Sequence, residues 1–130
     1  MTSELRVNTL KDASGNNSIG MSYVAEGSAK AWVNYNGTGT LAVRNSFNVS
    51  GVTDVATSEY STAFTNNMTD GDYAITANGT HDAGSYVCWG LVDLDAGITS
   101  SGYTENYPNQ NASLSFDTAF NTEVIHGDLA

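Results

Sequence analysis

The sequence predicts an all-β fold: an antiparallel β-sandwich or barrel-like domain of about eight strands, behind a short extended amino-terminal segment. Three observations carry that expectation. Residues 31–35 alternate, with Ala31, Val33 and Tyr35 on one side and Lys30, Trp32 and Asn34 on the other, a period of two that belongs to an extended strand with unlike faces. Val, Ile, Thr, Tyr, Phe and Trp recur through the chain while runs of strong helix formers do not, which favours strands. Turn-forming residues punctuate the chain at short intervals, as a small antiparallel fold needs.

Taken in order, residues 3–10 alternate (Leu5, Val7 and Thr9 against Glu4, Arg6 and Asn8) and read as a first strand. Residues 11–18 are dense in turn formers and read as a loop. Residues 19–24 read as a brief strand and 25–28 as a connector. This stretch has little apolar material of its own, so residues 1–28 are expected to anchor or oligomerise the chain, with Leu5, Val7 and Leu10 as the anchoring side chains. The β domain is expected over 29–130. Asn36-Gly37-Thr38-Gly39 supplies a tight turn, because Asn and Gly accept positive φ cheaply. A second strand runs from Leu41 towards Val52, a turn falls near 55–58, and the return strand puts Tyr60, Thr62 and Phe64 on one side. Residues 72–77 read as a strand closed by an Asn78-Gly79 turn. Residues 85–94, the most apolar segment, read as a central strand. Residues 95–111 read as a long polar loop around Pro108, of the kind that often carries function. Strands at 114–116 and 121–126 finish the domain. No helix is predicted.

Composition narrows the function. Asn, Ser, Thr and Gly make up 56 of the 130 residues, and thirteen aromatics are spread from Tyr23 to Phe120; the chain is polar without being highly charged, unlike a disordered segment. The net charge is −10, with Arg6, Lys11, Lys30 and Arg44 the only Lys or Arg residues. Four scattered cations cannot neutralise a phosphate backbone, so nucleic acid is not an expected partner. No apolar run approaches the roughly 20 residues that span a bilayer, and Met1-Thr2-Ser3-Glu4 lacks the basic start of a signal peptide. The single Cys88, inside Tyr86-Val87-Cys88-Trp89, reads as a buried, inert thiol.

The chemical motifs are weak. Gly37-Thr38-Gly39-Thr40-Leu41-Ala42 matches a loose dinucleotide fingerprint, but residues 41–47 lack the helix that would hold a pyrophosphate, so no cofactor is expected. Asp70/Asp72 and Asp93/Asp95 pair carboxylates without the ligand spacing of a calcium loop, and read as turn acids. His81 and His126 have no Cys, His or acidic partner at metal-ligand spacing apart from the adjacent Asp82 and the nearby Asp128, although a lone His near a three-fold axis would become three ligands. No nucleophile elbow is present, and paired carboxylates for glycoside cleavage would be set by the fold rather than by spacing; the expectation is that the chain is not an enzyme. Trp89, Tyr103, Tyr107, Asn109 and Gln110 combine aromatic and amide chemistry, and are the candidates for a partner or receptor surface. The other reading of the tyrosines is that they cap loops over a small core.

One resemblance extends this reading. Lys30-Ala31-Trp32-Val33-Asn34-Tyr35-Asn36-Gly37-Thr38-Gly39-Thr40, followed by Arg44-Asn45-Ser46-Phe47-Asn48-Val49-Ser50 and the Asp54 turn, resembles a module of tail-fibre-like virion proteins of marine tailed phages, cyanophages and their relatives. The opening residues 3–12, the 60–64 strand, Asp72-Tyr73-Ala74 and the ending Val124-Ile125-His126-Gly127 follow in the order of that family. About two-thirds of the chain is covered. Met68-Thr69-Asp70 departs from the proline expected before the Tyr73 strand, and residues 80–112 match nothing in the pattern. The resemblance implies a non-enzymatic virion protein of the tail or capsid surface, without cofactor, assembled as a homotrimer with other virion proteins and in contact with a host-surface glycan or protein. A capsid decoration protein is the alternative within that class. A carbohydrate-binding module or small glycan hydrolase is the alternative outside it.

Overall fold

A computed structural model of the chain describes residues 3–81, 87–93, 95, 97–108 and 116–130. It contains two five-stranded antiparallel sheets packed face to face, a sandwich rather than a closed barrel. The first sheet is built from β3 (Ala31–Asn36), β4 (Ala42–Phe47), β7 (Ala74–Thr80), β8 (Val87–Trp89) and β12 (Phe120–His126), in the order β4-β3-β12-β7-β8. The second holds β5 (Val49–Ala56), β6 (Glu59–Phe64), β9 (Leu91–Val92), β10 (Ile98–Thr99) and β11 (Gly102–Asn106), in the order β10-β11-β6-β5, with β9 also paired to β11. Ahead of them, β1 (Thr9–Lys11) and β2 (Ser18–Gly20) form a separate hairpin followed by a short helix, α1 (Met21–Gly27).

The alternation predicted for residues 31–35 is observed: Ala31, Val33 and Tyr35 are buried and Trp32 and Asn34 look outward; Lys30, expected on the outward side, is instead buried, with its Nζ donating to the carbonyls of Ala25 and Ser28. Tyr60, Thr62 and Phe64 likewise share the inner face of β6. The β3–β4 turn sits at 37–41, with Gly39 at φ +64°, and Gly37 lies where a Cβ would collide with the Tyr60 ring. The run from Leu41 to Val52 is not one strand. It breaks at Asn48, where φ is +54°, and passes from the first sheet to the second. Asn tolerates this left-handed corner, and its side chain fixes it: Nδ2 donates to the carbonyls of Lys30 (3.0 Å) and Asn66 (3.1 Å), and Oδ1 accepts from the Asn66 N–H (2.8 Å).

Several expectations are corrected. Residues 21–27 are helical where a strand was expected through 24, although α1 buries none of its residues. The first strand is shorter than 3–10 and lies at Thr9–Lys11. Asn78-Gly79 is not a turn but the middle of a strand-to-strand ladder: Gly79 pairs with Asn121 on one side and Cys88 on the other. Glycine is required there by close packing, since a Cβ would sit 2.8 Å from Asn121 Oδ1 and 2.9 Å from Tyr107 Cδ1. The 85–94 segment is not a central strand. Its described part splits at Gly90 into β8, at the edge of one sheet, and β9, in the other. The predicted loop 95–111 contains β10 and β11, the strand that pairs with β6. The strand expected at 114–116 lies mostly outside the described residues, and Phe116 is not in a strand.

The interior has three layers along the strands. One apolar cluster gathers Ala31, Phe64, Met68, Tyr73, Tyr103 and Ile125; another gathers Val33, Tyr35, Tyr60, Cys88 and Tyr107. Burial pushes the Cys88 thiol pKa up, in keeping with an inert core residue. Between the two clusters lies a polar belt of Thr62, Glu105 and Glu123, all buried.

Candidate interaction face and a sealed carboxyl pair

The sheet containing β3 and β12 presents its outer face to solvent. In antiparallel pairs, residues opposite one another point to the same face, so the register gives the pattern directly. One row reads Asn45, Asn34, Thr122, Asn78 and Trp89 across all five strands, spanning about 19 Å at ordinary strand spacing. The adjacent row reads Phe47, Trp32, Val124 and Thr76. Phe47, Trp89 and Phe120 are exposed large apolar side chains. The bulge between Asn34 and Tyr35 leaves Arg44 as the extra residue of β4. Its guanidinium lies over the Phe120 ring (5.1 Å) and donates to Asn34 Oδ1 (3.3 Å) and to the carbonyls of Tyr35 (2.7 Å) and Ala119 (2.6 Å). No Asp or Glu occupies any of these positions, although the chain carries 14 acids. The opposite sheet turns out small residues, Gly51, Ser61, Ala63 and Gly102 among them.

Of the five residues expected on a partner surface, one is exposed on this sheet. Trp89 is 60% exposed at the edge of this face. Tyr103 and Tyr107 are corrected: they are 2% and 0% exposed, because β11 is a strand of the sandwich and the period of two turns Tyr103 and Glu105 inward, with Tyr107 following on the same side. Asn109 and Gln110 lie outside the described residues. Leu5, Val7 and Leu10 are all exposed, Leu5 by 79%, and no residue from 3 to 28 is buried.

The residues that sequence reasoning missed are Glu105 on β11 and Glu123 on β12, each 1% exposed. Glu123 accepts hydrogen bonds from Tyr103 Oη (2.6 Å) and Thr62 Oγ1 (2.9 Å) at Oε2, and from Tyr107 Oη (3.2 Å) at Oε1. Glu105 Oε1 accepts from Tyr35 Oη (3.1 Å), while Oε2 has no hydrogen-bond partner. Burial, and after it the charge of Glu123, push the Glu105 pKa well above the carboxylate range, against the smaller pull of Tyr35. The same burial, reinforced by both carboxylates, holds the Tyr35, Tyr103 and Tyr107 hydroxyls protonated. The available signal was the Tyr103-x-Glu105-x-Tyr107 alternation, masked by the polar residues around it.

No family model, curated protein or solved structure matches the chain. The remaining motif residues are settled by geometry. Asp70 and Asp93 each accept the N–H two residues on, from Asp72 and Asp95, at 2.8 Å, which is what turn acids do. His81 packs edge-on against Phe116 at 4.2 Å. His126 shares a shallow depression with Glu26, Asp72 and Asp128; among the described residues, no three His, Cys, Asp or Glu side chains form a metal-type cluster. No described helix is long and apolar enough to cross a membrane.

Proposed function

We propose that this protein is a non-enzymatic structural component of a tailed-phage virion, tail-fibre-like or receptor-binding, that assembles as a homotrimer through its amino-terminal segment and projects its β-sandwich outward. One observation carries the reading. The sandwich closes its core from its own strands, whereas Leu5 and Val7 in the segment before β1, Leu10 and Ile19 on the β1–β2 hairpin and Tyr23 on α1 are large apolar side chains left exposed, and no residue from 3 to 28 is buried. Apolar surface of that kind marks an interaction site, and copies around a closed symmetry axis would cover it. The resemblance of residues 30–50 to virion modules supplies the biological setting, and a capsid decoration role is the alternative within it. The test is the mass of the full chain in solution. A trimer that falls to a monomer when Leu5, Val7 and Leu10 are all changed to Asp, with the melting temperature of the sandwich unchanged, supports the reading; a wild-type chain that stays monomeric at high concentration refutes it. Antibody labelling of particles then distinguishes tail from capsid surface.

A second reading, glycan binding, is favoured by the outer face itself. Its amide and hydroxyl row, ending at Trp89 and free of carboxylates, offers neutral hydrogen-bonding groups beside aromatic platforms. It is compatible with a host-attachment role for the same virion protein. Loss of glycan-array binding in Trp89→Ala, with the fold retained, would support it.

A further inference from the structure

The two interior carboxyl groups are unequally prepared for a negative charge. Glu123 has three hydroxyl donors on its two oxygens. Glu105 has one donor, and its Oε2 is buried with none. A bare ionised oxygen in such a place is unfavourable, and two facing carboxylates in a low-dielectric interior do not both ionise readily. Among the described residues, the groups around them offer no counter-charge. Tyr35 faces from β3, Tyr60 and Thr62 from β6, Tyr103 from β11, Tyr107 just beyond it and Cys88 from β8. Lys30, the buried cation of the domain, has its Nζ on the carbonyls of Ala25 and Ser28 and on Ser28 Oγ, and Arg44 is engaged on the outer face.

We infer that Glu105 and Glu123 hold a single proton between them at neutral pH, carried by Glu105 and donated towards Glu123, and that this proton latches the two sheets of the sandwich together. The two carboxyls come from opposite sheets, Glu105 from β11 and Glu123 from β12, so the shared proton bridges the layers where the apolar clusters give way to polar groups. Once it leaves, two like charges face each other across the core. The direction of the pH effect follows. The Glu105 pKa is raised on folding, so its contribution to stability is complete below the ordinary carboxylate pKa. That contribution drains as the pH rises and is gone above the folded value. Within that window, the folding equilibrium constant loses up to about tenfold per pH unit through this one proton.

The experiment compares the full wild-type chain with Glu105→Gln, which puts a permanent neutral donor in place of the titrating acid. Urea unfolding is followed at a series of pH values from about 5 to 9. The expected result is that the two proteins have similar folding constants at the acid end, and that the wild type falls progressively behind as the pH rises. Parallel curves overturn the inference. Infrared spectroscopy of the wild type at neutral pH tests it without relying on the variant: the stretching band of a protonated carboxylic acid is expected, and its absence overturns the inference. A wild-type pH profile that shifts on adding a chelator would show a metal ion where the proton is placed here, and would overturn it equally.

Discussion

Replacing Tyr103 by Phe and Glu123 by Gln, singly and together, measures the strongest contact of the polar belt. Tyr103 Oη lies 2.6 Å from Glu123 Oε2, both groups are buried, and under the inference above that acceptor carries the charge of the pair. A hydrogen bond to a charged acceptor contributes about 1.5–3 kcal/mol, against about 0.5–1.5 kcal/mol for a neutral pair. Tyr103→Phe removes only the hydroxyl and leaves the ring against Phe64 and Tyr73, so its cost in the wild type should fall in the higher range. In the Glu123→Gln background the acceptor is uncharged, and the same substitution should fall in the lower one. The two differ by about 1 kcal/mol, above the 0.3–0.5 kcal/mol within which independent sites add. Urea unfolding followed by circular dichroism reads all four corners, with an unchanged m-value as the check that the unfolded state is common. If Tyr103→Phe costs the same in both backgrounds, Glu123 is not the charged centre of the belt.

Other outcomes follow from the same geometry. Tyr107→Phe removes a longer bond to Glu123, at 3.2 Å, and should cost less than Tyr103→Phe in the same urea assay. Gly79→Ala forces a Cβ against Asn121 and Tyr107 and should lower stability by about 1–3 kcal/mol, a loss that an unchanged melting temperature would contradict. Trp89→Ala removes an exposed side chain and should alter stability by no more than about 0.5 kcal/mol, which thermal unfolding can check. Burial raises the Tyr60 and Tyr73 hydroxyls to about 12. Their protons therefore stabilise the fold fully below the ordinary tyrosine pKa of about 10, and that stabilisation is lost towards 12. Tyrosinate absorbance from these residues should rise together with the loss of near-ultraviolet dichroism, not before it.

Strands that carry an apolar inner face were legible in the sequence. Ala31-Val33-Tyr35 and Tyr60-Thr62-Phe64 declare themselves because alternation and burial coincide. β11 did not, because its inward set is Tyr103 and Glu105, and an acid at an inner position breaks the apolar pattern that marks a half-buried strand. Asn78-Gly79 misled for a related reason. The dipeptide is the usual mark of a tight turn, yet here the glycine exists to let Tyr107 and Asn121 approach the backbone. The aromatic face was only partly legible. Trp89 was singled out, but Trp32, Phe47 and Phe120 come together through strand pairing, which sequence spacing does not encode.

The polar belt also explains why β12 sits in the register it does. Its sequence, Phe-Asn-Thr-Glu-Val-Ile-His, offers two inner faces, and a one-residue slip would bury Phe120, Thr122 and Val124 in place of Asn121, Glu123 and Ile125. Apolar burial alone favours the slip: exchanging Ile125 for Val124 is nearly neutral, and Phe120 would add about 1.5–3 kcal/mol. The slip, however, takes the acceptor from Thr62, Tyr103 and Tyr107, and each buried hydroxyl left alone costs about 1–3 kcal/mol. It also breaks the bond from Asn121 Nδ2 to the Thr118 carbonyl, at 3.0 Å. Desolvating Glu123 offsets several kcal/mol of this, so the net margin is small and the belt contributes more to choosing the register than to the depth of the native state. That choice reaches the surface. With Asn121, Glu123 and Ile125 turned inward, Val124 is turned out opposite Trp32 and Phe120 is turned out beneath the Arg44 guanidinium, so the chemistry of the core decides what β12 adds to the outer face.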